Sequence, residues 1–327
     1  MRYPQFLNSP FIRAAVLIPY SIFLVMQEQI DIVICAVPVS IGLTGFILKK
    51  IFKIPYCVFY YGGEFAKYQN KKTIKWLLKN VLEHADCIIT NSEFTSQEVN
   101  KYGIDENKVF KIAPGVDTEK FKPGIDCFDL KRKLNLNEKK VLLTVSRLVK
   151  RKGIDAVINT LPRLMEEFPS AVYLVVGRGE EEAYLKRLAV ECGVEENVIF
   201  LGFVSDDELP KYYNVCDIYV MPNKETSGEE TLEGFGISFI EASACAKAVV
   251  GGVSGGVKEA VVDGETGVLV DPEDIPLLSE TICRLLRDAA YNRRLGENGR
   301  RRTEREFQWQ DRAAYLREIL EKICPRK

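Results

Sequence analysis

The chain has 327 residues, 46% of them apolar, which predicts a soluble globular protein of about two domains. Its formal net charge of −1 argues against a nucleic-acid-binding protein, because duplex binding normally requires a basic face. The nine cysteines are scattered singly and His84 is the only histidine, so a disulfide framework and a His/Cys metal site are both disfavoured, and the thiols are expected to be reduced in a cytoplasmic protein.

The first predicted element is an apolar segment at residues 11–26. It is about 16 residues long and contains Arg13 and Pro19, whereas a transmembrane helix needs about 20 consecutive apolar residues. We therefore interpret this segment as a helix that is buried in the protein interior.

Strands and helices then alternate strictly as far as residue 112. Apolar runs predict strands at 31–37, 56–61, 87–90 and 109–112, and amphipathic patterns predict helices at 41–52, 73–84 and 93–101. Ser92 is placed to cap the last of these helices. Such alternation implies right-handed crossovers and a parallel sheet. We place the end of this N-terminal domain (residues 1–122) in the Pro/Gly-containing run FKPGID, which breaks the pattern.

The segment between Lys67 and Leu82 (KYQNKKTIKWLLKNVL) combines five lysines with regularly spaced apolar residues. Residues 1–82 as a whole carry ten Lys and Arg against three Asp and Glu. The pattern is compatible with a helix that lies on an anionic membrane surface. The alternative is a helix whose apolar side packs on the sheet and whose lysines are solvated.

The alternation resumes in a C-terminal domain, residues 123–304. Strands are predicted at 141–146, 171–177, 198–201, 218–221, 248–251 and 267–270, and helices at 153–168, 180–192, 206–215, 239–245, 258–262 and 275–288. A long helical stretch at 291–323 closes the chain, and its last part, 305–323, is a candidate to join the N-terminal domain. The predicted fold class is therefore α/β, with two doubly wound Rossmann-like domains. In such sheets ligands bind at the carboxyl ends of the strands.

A cluster of four cations follows the first strand of the C-terminal domain, in the run SRLVKRKG at 146–153. The run opens a helix, whose N-terminus also favours anions. Arg147 can bind a phosphate with two hydrogen bonds, and Lys152 supplies a compact positive charge. A diphosphate is the ligand that this arrangement favours, and the alternative is a solvated charge run.

The next candidate ligand-binding segment lies between two glutamates eight positions apart, Glu233 and Glu241. Gly234 and Gly236 allow the backbone to approach a ligand closely, and free N–H groups of the following helix would face it. Glu241 lies in an otherwise apolar stretch, so it needs a polar partner, for which a pair of ribose hydroxyls is suitable. The alternative is an ordinary strand–turn–helix junction.

Glycine-rich turns end two further strands, at Gly177–Gly179 and at 251–256, and together with the preceding motifs they are candidates to line one pocket. The chain contains no Asp-x-Asp sequence, which disfavours a diphosphate clamped by a carboxylate-bound Mg²⁺. It also lacks GxxxxGK[ST], which excludes a P-loop nucleotidase.

Five blocks of sequence resemble the GT-B, family-4 retaining glycosyltransferases, with the phosphatidylinositol mannosyltransferase type as a close example. The blocks agree with that family in order and spacing over residues 30–320. They are VSRLVKRKGID (145–155), VVGRGEE (175–181), VIFLGFVSDDELPKYYNVCDIYVMP (198–222), EGFGISFIEA (233–242) and GETGVLVDP (264–272).

The resemblance implies a role for each matching position. Arg147 and Lys152 would bind the donor diphosphate, Glu233 would orient the transferred sugar, and Glu241 would hold the ribose. The remaining implied donor contacts are the backbone at Gly234, Phe235 and Gly236, and the backbone near Val204 for the base. Gly177, in its glycine-rich turn, is a further donor-binding candidate. The reaction of the family proceeds with retention and without a metal or other cofactor, and the leaving diphosphate helps to deprotonate the acceptor.

Two departures from the family pattern concern the N-terminal domain. One or two βα units that should precede Met1 are expected to be missing, so that this domain is incomplete. Tyr61 occupies the position where the family usually has a His, and it forms the acceptor-side group with Gly62 and Glu64. A tyrosine can donate a hydrogen bond but is a poor base at neutral pH.

The expected function is transfer of a sugar from a UDP- or GDP-sugar to a lipid-linked or polysaccharide acceptor in envelope glycan synthesis. The expected location is the cytoplasm, with peripheral association at the inner membrane face. The alternative is a donor-binding remnant of low or no activity, and a sugar-nucleotide epimerase of the same fold is disfavoured by the two-glutamate block.

Overall fold

The computed structural model describes residues 10–68, 70–226 and 232–324. By their contacts the described residues divide into two compact units. The first comprises residues 10–113, 232–234 and the residues from Arg312 onward, and the second comprises residues 114–226 and 235–311. Each unit contains a parallel sheet with helices, which confirms the predicted α/β fold class.

The first unit is built on a four-stranded parallel sheet. Apolar runs that are buried on both faces form its strands, in the spatial order β1-β2-β3-β4. The strands are β1 (Val33–Cys35), β2 (Tyr56–Tyr60), β3 (Cys87–Thr90) and β4 (Val109–Lys111), and the helices are α1 (Pro10–Gln27), α2 (Ser40–Phe52), α3 (Glu64–Lys67), α4 (Lys72–His84) and α5 (Glu93–Asn100).

The predicted cap of α5 is confirmed. The Ser92 side chain accepts a hydrogen bond from the Thr95 N–H (3.1 Å), and the Thr95 hydroxyl accepts one from the Ser92 N–H (3.0 Å). This reciprocal pair satisfies two of the N–H groups that a helix start leaves unbonded. The short helix α3 was not predicted, because four residues are too few to show a helical period.

Residues 11–26 form the predicted helix, but the prediction that it is buried is wrong. Ala14 is buried, whereas Val16 and Tyr20 are each 59% exposed and Phe23 is 53% exposed. Helix α1 packs along α2, so within the described residues only one side of it is covered. None of the described helices is long and apolar enough to span a membrane.

The basic segment between Lys67 and Leu82 forms the end of α3 and most of α4. Leu78, Val81 and Leu82 are fully buried in the core with Tyr56 and Val58 of the sheet. The apolar side of α4 is therefore used largely for internal packing. Trp76 is the exception, because it is 65% exposed.

The second unit contains a six-stranded parallel sheet in the order β10-β9-β8-β5-β6-β7. This order reverses between β5 and β8, which is the topological switch point of a doubly wound sheet. The strands are β5 (Val141–Val145), β6 (Val172–Val176), β7 (Val198–Gly202), β8 (Ile218–Met221), β9 (Ala248–Gly252) and β10 (Gly267–Val270), and the helices are α6 (Phe128–Lys133), α7 (Ile154–Glu167), α8 (Glu182–Glu191), α9 (Leu209–Val215), α10 (Ile237–Ala244), α11 (Val257–Ala260), α12 (Ile275–Arg287) and α13 (Ala289–Glu306).

The helical stretch predicted at 291–323 is interrupted at Phe307 and Gln308, between α13 and a final helix α14 (Trp309–Ile323). The Phe307 carbonyl accepts a hydrogen bond from the Val116 N–H (2.8 Å), and its buried ring meets Phe235 edge-on. We attribute the end of α13 at this point to these two contacts of Phe307. Beyond the break, Ile319 of α14 packs against Cys57, Cys87 and Ile89 of the first unit's sheet.

Gly153 makes a close backbone contact that leads to a stability prediction. It has φ +68°, and a Cβ there would lie 2.0 Å from the Pro222 carbonyl oxygen. Gly193 has nearly the same φ, +66°, but a Cβ there would meet nothing within 4 Å. Gly193→Ala is expected to cost about 1–2 kcal/mol through the backbone strain alone. Gly153→Ala is expected to cost at least about 1 kcal/mol more, because overpacking adds to that strain.

Urea unfolding of the two variants and the parent chain at one pH measures the difference. Gly193→Ala is the matched control, since both substitutions add one methyl group in the left-handed region. Equal losses in the two variants would contradict the close contact between Gly153 and Pro222.

Candidate active site

The switch point places the predicted cationic loop at the carboxyl end of β5. Arg147 is exposed there, while Lys152 is only 8% exposed and ends the 3₁₀ turn Lys150–Lys152. The loop is held by its backbone, because the Leu148 N–H donates to the Arg178 carbonyl (3.0 Å) and the Leu148 carbonyl accepts from the Glu181 N–H (3.1 Å). The charged side chains are thus carried by a fixed loop at the ligand-binding edge of the sheet.

The loop after β8 is tied to this cationic loop. The Lys224 N–H donates to the Arg151 carbonyl (2.9 Å), and the Lys224 ammonium pairs with the Asp155 carboxylate (2.5 Å). Both side chains of that pair are less than one fifth exposed, so the pair is shielded from solvent screening. The two loops that flank the switch point therefore form one structure.

The start of α10 adjoins the same edge. Gly236 has φ +91° and caps the helix, and the first N–H groups of any helix lack an intrahelical partner. The buried Tyr219 hydroxyl lies 2.7 Å from Ser238 Oγ on α10 and 3.3 Å from the Val145 carbonyl at the end of β5. A helix N-terminus, which favours anions, is thereby fixed beside the strand that carries Arg147 and Lys152.

Glu241 is bound within the second unit by a residue that was not predicted. Its Oε2 accepts a 2.6 Å hydrogen bond from the hydroxyl of Tyr213, a fully buried residue of α9. Burial raises the pKa of Glu241, and the bond from Tyr213 offsets this only in part. The expected need of this carboxylate for a polar partner is thus met internally at one of its two oxygens.

The other predicted donor contacts, at Gly177, Val204 and Phe235 of the described chain, have no side-chain hydrogen bond or ion pair that would mark them as part of a site. The Gly177 N–H donates to the Gly202 carbonyl (2.7 Å), so the fold already uses this amide. Val204 is partly exposed in the loop after β7. Phe235 is buried against Phe307, so only its backbone is available to a ligand.

Two of the predicted donor residues, Glu233 and Gly234, group by contacts with the first unit. Glu233 is 9% exposed. A Cβ on Gly234 would lie 2.3 Å from the Tyr61 carbonyl oxygen and 2.9 Å from the Asn91 side chain. Glycine at 234 is therefore required by contact with this unit's own backbone.

The predicted acceptor-side group lies at the carboxyl end of β2. Tyr61 is 47% exposed, and its N–H donates to Glu64 Oε1 (3.1 Å). Gly62 has φ +100°, and the next amide, Gly63 N–H, donates to Glu98 Oε2 (2.9 Å). Burial and then the nearby Glu64 raise the pKa of the Tyr61 phenol, so it is a hydrogen-bond donor at neutral pH.

Glu64 has an unusual environment, from which a pH dependence follows. Its Oε2 is buried without a hydrogen-bond partner, and burial raises the pKa of this carboxyl group to about 7. Because the folded-state pKa lies above the unfolded value, the stability that the protonated group contributes is present at low pH and is lost as pH rises from about 4.5 to about 7. Glu64→Gln is therefore expected to unfold less readily than the parent at pH 8, by on the order of 1–3 kcal/mol.

Denaturant unfolding of the parent and of Glu64→Gln at pH 5 and pH 8 tests this expectation. Glu106→Gln, which alters an exposed carboxylate of the same unit, is the control and should follow the parent. A Glu64→Gln variant with the parent's pH dependence would show that this carboxyl group is ionised normally.

The structure adds Asp155, Tyr213, Tyr219, Lys224 and Ser238 to the candidate site, and Glu98 to the acceptor-side group. Asp155 lies within the VSRLVKRKGID block, so its position was visible in the sequence, although no role was assigned to it. The others act through partners between 19 and 74 positions away, and no local pattern signals such pairs. Among the described residues, no group of three or more His, Cys, Asp or Glu side chains could hold a metal ion.

Comparison with family models agrees with this architecture. Residues 128–302 match the model described as glycosyl transferases group 1, and residues 2–120 match the one described as glycosyltransferase family 4. Because the first match covers more than half of the chain, the chain belongs to the group 1 glycosyl transferases. The resemblance to family-4 glycosyltransferases seen in the sequence is thereby confirmed.

Individual proteins give the same result. The GDP-mannose-dependent alpha-(1-6)-phosphatidylinositol monomannoside mannosyltransferase of Mycolicibacterium smegmatis is 34% identical over 245 residues, which cover 74% of this chain. The chain spans 64% of the length of that relative.

Two solved structures share the GT-B fold of both units. Sucrose-phosphate synthase from Thermosynechococcus elongatus matches with a TM-score of 0.83 and 25% identity, over 99% of this chain and 80% of that protein. Anabaena HepE in complex with UDP and glucose matches with a TM-score of 0.81 and 22% identity, over 92% of this chain and 80% of that protein.

Proposed function

We propose that the protein is a glycosyltransferase that takes its sugar from a nucleotide-diphosphate sugar. The observation that carries the proposal is the convergence at the switch point of the second unit. There Arg147 and Lys152 follow β5, and the Tyr219 hydroxyl joins the end of β5 to the first turn of α10. Two cations and a helix N-terminus at one edge form an environment that suits a diphosphate.

In this proposal each donor residue contacts a different part of the nucleotide sugar. Arg147 and Lys152 bind the diphosphate and neutralise the charge that develops on the leaving group. The free oxygen of Glu241 accepts a hydrogen bond from the ribose. The backbone at Gly234, Phe235 and Gly236 contacts the sugar and phosphates, and the backbone at Gly177 and near Val204 completes the site toward the base. Glu233 orients the transferred sugar.

The proposed reaction retains the anomeric configuration. The acceptor hydroxyl attacks the anomeric carbon from the side on which the diphosphate leaves, and a diphosphate oxygen takes the hydroxyl proton. No protein nucleophile is needed for this route. Since Arg147 and Lys152 supply the positive charge, we also propose that transfer is independent of divalent metal, which an assay with excess EDTA tests.

The relatives guide the choice of donor and acceptor. The mycobacterial relative is named for GDP-mannose and a phosphatidylinositol mannoside, and HepE was solved with UDP and glucose. We propose a GDP- or UDP-sugar as donor and a lipid-linked or polysaccharide acceptor of the cell envelope. The acceptor-side group, Tyr61, Gly62 and Glu64, contributes the Tyr61 phenol as a hydrogen-bond donor and Glu64, whose pKa of about 7 suits it to exchange a proton near neutral pH.

We propose that the protein is cytoplasmic and binds peripherally to the inner membrane face, where it would meet a lipid-linked acceptor. Support comes from α4, whose exposed Trp76 stands among Lys72, Lys75 and Lys79. An exposed tryptophan beside lysines suits an anionic bilayer surface. The buried apolar side of α4 weighs against a deeper insertion.

A donor-binding remnant of little or no activity is the second candidate, favoured by Tyr61 in the place of the family's usual His. Calorimetric titration of the 327-residue chain with UDP, GDP and ADP separates the candidates in two stages. Binding of one diphosphate establishes the donor site and names its base, and transfer from the matching nucleotide sugar establishes the enzyme. Binding without transfer supports the remnant, and the absence of binding to all three contradicts both.

A further inference from the structure

A small basic cavity lies in the first unit, apart from the residues assigned above. It has a volume of about 170 Å³ and is lined by Phe46, Lys49, Lys50, Lys53 and His84. These residues belong to the last turns of α2 and α4 or directly follow them, just before β2 and β3 begin. The cavity therefore lies at the amino-terminal edge of the sheet, whereas Tyr61 and Glu64 lie at the carboxyl edge.

The acidic groups next to the cavity are already engaged. Asp86 accepts the Lys49 ammonium at one oxygen (2.6 Å) and the Tyr56 N–H at the other (2.9 Å). Glu83 pairs with Lys79 at 3.5 Å. Asp86 cannot turn toward Lys50 or Lys53 without losing its bond to the start of β2, so the cavity keeps an excess of positive charge.

The remaining lining groups are arranged around an aromatic ring. The Lys50 ammonium lies 5.4 Å from the centre of the Phe46 ring, and the His84 ring meets Phe46 edge-on at 5.2 Å. The His84 Nδ1 lies 2.9 Å from the Asn80 carbonyl, which requires a proton on that nitrogen. Nε2 is therefore the ring nitrogen that can interact with a bound group.

The volume limits what can bind. One water molecule occupies about 30 Å³ of liquid, so the cavity holds a group the size of a few waters. Sites for drug-sized ligands and cofactors have about 300–1,000 Å³. A tetrahedral phosphate group fits this volume, with the rest of its ester extending into solvent, and lysine ammonium groups are suitable partners for its charge.

We propose that this cavity is a second anion site, which binds the phosphate group of a phosphomonoester. The phosphate belongs either to a soluble ester or to a phospholipid head group. Lys50 and Lys53 supply the charge, Lys49 completes the wall while it holds Asp86, and His84 lies beside the bound group. A simpler role, in which the lysines only balance the negative ends of α2 and α4, predicts no saturable binding.

The sole histidine gives a direct readout, because His84 is the only imidazole in the chain. The full chain is titrated with inorganic phosphate and with glycerol 1-phosphate while the His84 ring resonances are followed by NMR. We expect a saturable shift, with affinity reduced about tenfold or more in Lys50→Ala and in Lys53→Ala, since each substitution removes a charge-assisted hydrogen bond. Lys101→Ala and Lys133→Ala remove exposed charges elsewhere and should leave the dissociation constant unchanged.

Vesicles distinguish the two sources of phosphate. If phosphatidylcholine vesicles containing phosphatidic acid compete with inorganic phosphate for the His84 response, and pure phosphatidylcholine vesicles do not, the ligand is a lipid head group. If phosphate binds and neither vesicle competes, it is a soluble ester. A His84 resonance that does not shift, or that shifts equally in Lys50→Ala and Lys53→Ala variants with parent-like unfolding curves, would overturn the proposal. Arg147→Ala should leave the His84 response unchanged. The proposal of this anion site and the proposal of the donor site can therefore be contradicted independently of each other.

Discussion

Arg147→Ala is expected to weaken binding of the donor nucleotide diphosphate by about 2–3 kcal/mol, or about 30- to 160-fold. Arg147 is exposed at the carboxyl end of β5, on a loop that backbone hydrogen bonds to Arg178 and Glu181 hold in place. Its loss removes a bidentate donor to a phosphate while the loop itself stays supported. The stability of the folded chain is therefore expected to change little.

Calorimetric titration with the diphosphate that binds the parent chain measures this effect. Lys150→Ala is the matched control, because Lys150 is an exposed cation of the same loop with no assigned contact to the ligand. It should lower the affinity only slightly, through the general loss of one charge. A dissociation constant that is unchanged in Arg147→Ala, or raised equally in both variants, would remove Arg147 from the donor site.

Glu233→Gln is expected to lower the rate of sugar transfer by about a hundredfold while changing nucleotide-diphosphate affinity less than about threefold. The substitution keeps the size of the side chain and removes its charge. A carboxylate that orients the transferred sugar acts on the reacting centre and not on the nucleotide, so the loss should fall on turnover.

Transfer from the nucleotide sugar, measured beside calorimetric binding of the nucleotide diphosphate alone, separates the two effects. Glu225→Gln, in an exposed residue between β8 and α10, controls for the removal of a carboxylate. Equal losses of turnover and affinity in Glu233→Gln would point to a structural role for this residue, which is only 9% exposed. The comparison requires measurable transfer by the parent chain, which also decides against the remnant alternative.

The location of the cationic loop was predictable because it depends on local sequence. Charged residues that directly follow a buried apolar run must lie at the carboxyl end of a strand, and α/β sheets bind ligands at that edge. Short buried strands were also well defined by their composition, and 87–90, 218–221 and 267–270 have the predicted bounds. The Ser92 cap follows from the same kind of local signal.

Predictions that depended on distant neighbours were less successful. The sequence of α1 shows an apolar helix, but whether Val16 and Tyr20 are covered depends on what packs against them. The break at Phe307 arises from a hydrogen bond to Val116, which lies far away in the chain. The contact of Gly234 with the Tyr61 carbonyl oxygen was likewise not visible in the sequence, and the predicted approach of a ligand to the Gly234 backbone stays a prediction.

The sequence by itself determined the class of fold, the order of its elements, the family and the residues that carry charge to the switch point. These properties depend on periodicity and on blocks of contiguous residues. Only the tertiary structure decided how those residues are held: Tyr219 joining β5 to α10, Tyr213 bonded to Glu241, Asp155 paired with Lys224, and Glu64 buried with a raised pKa. The physical reason is that hydrogen bonding and desolvation depend on distances between side chains that the chain brings together only when it folds.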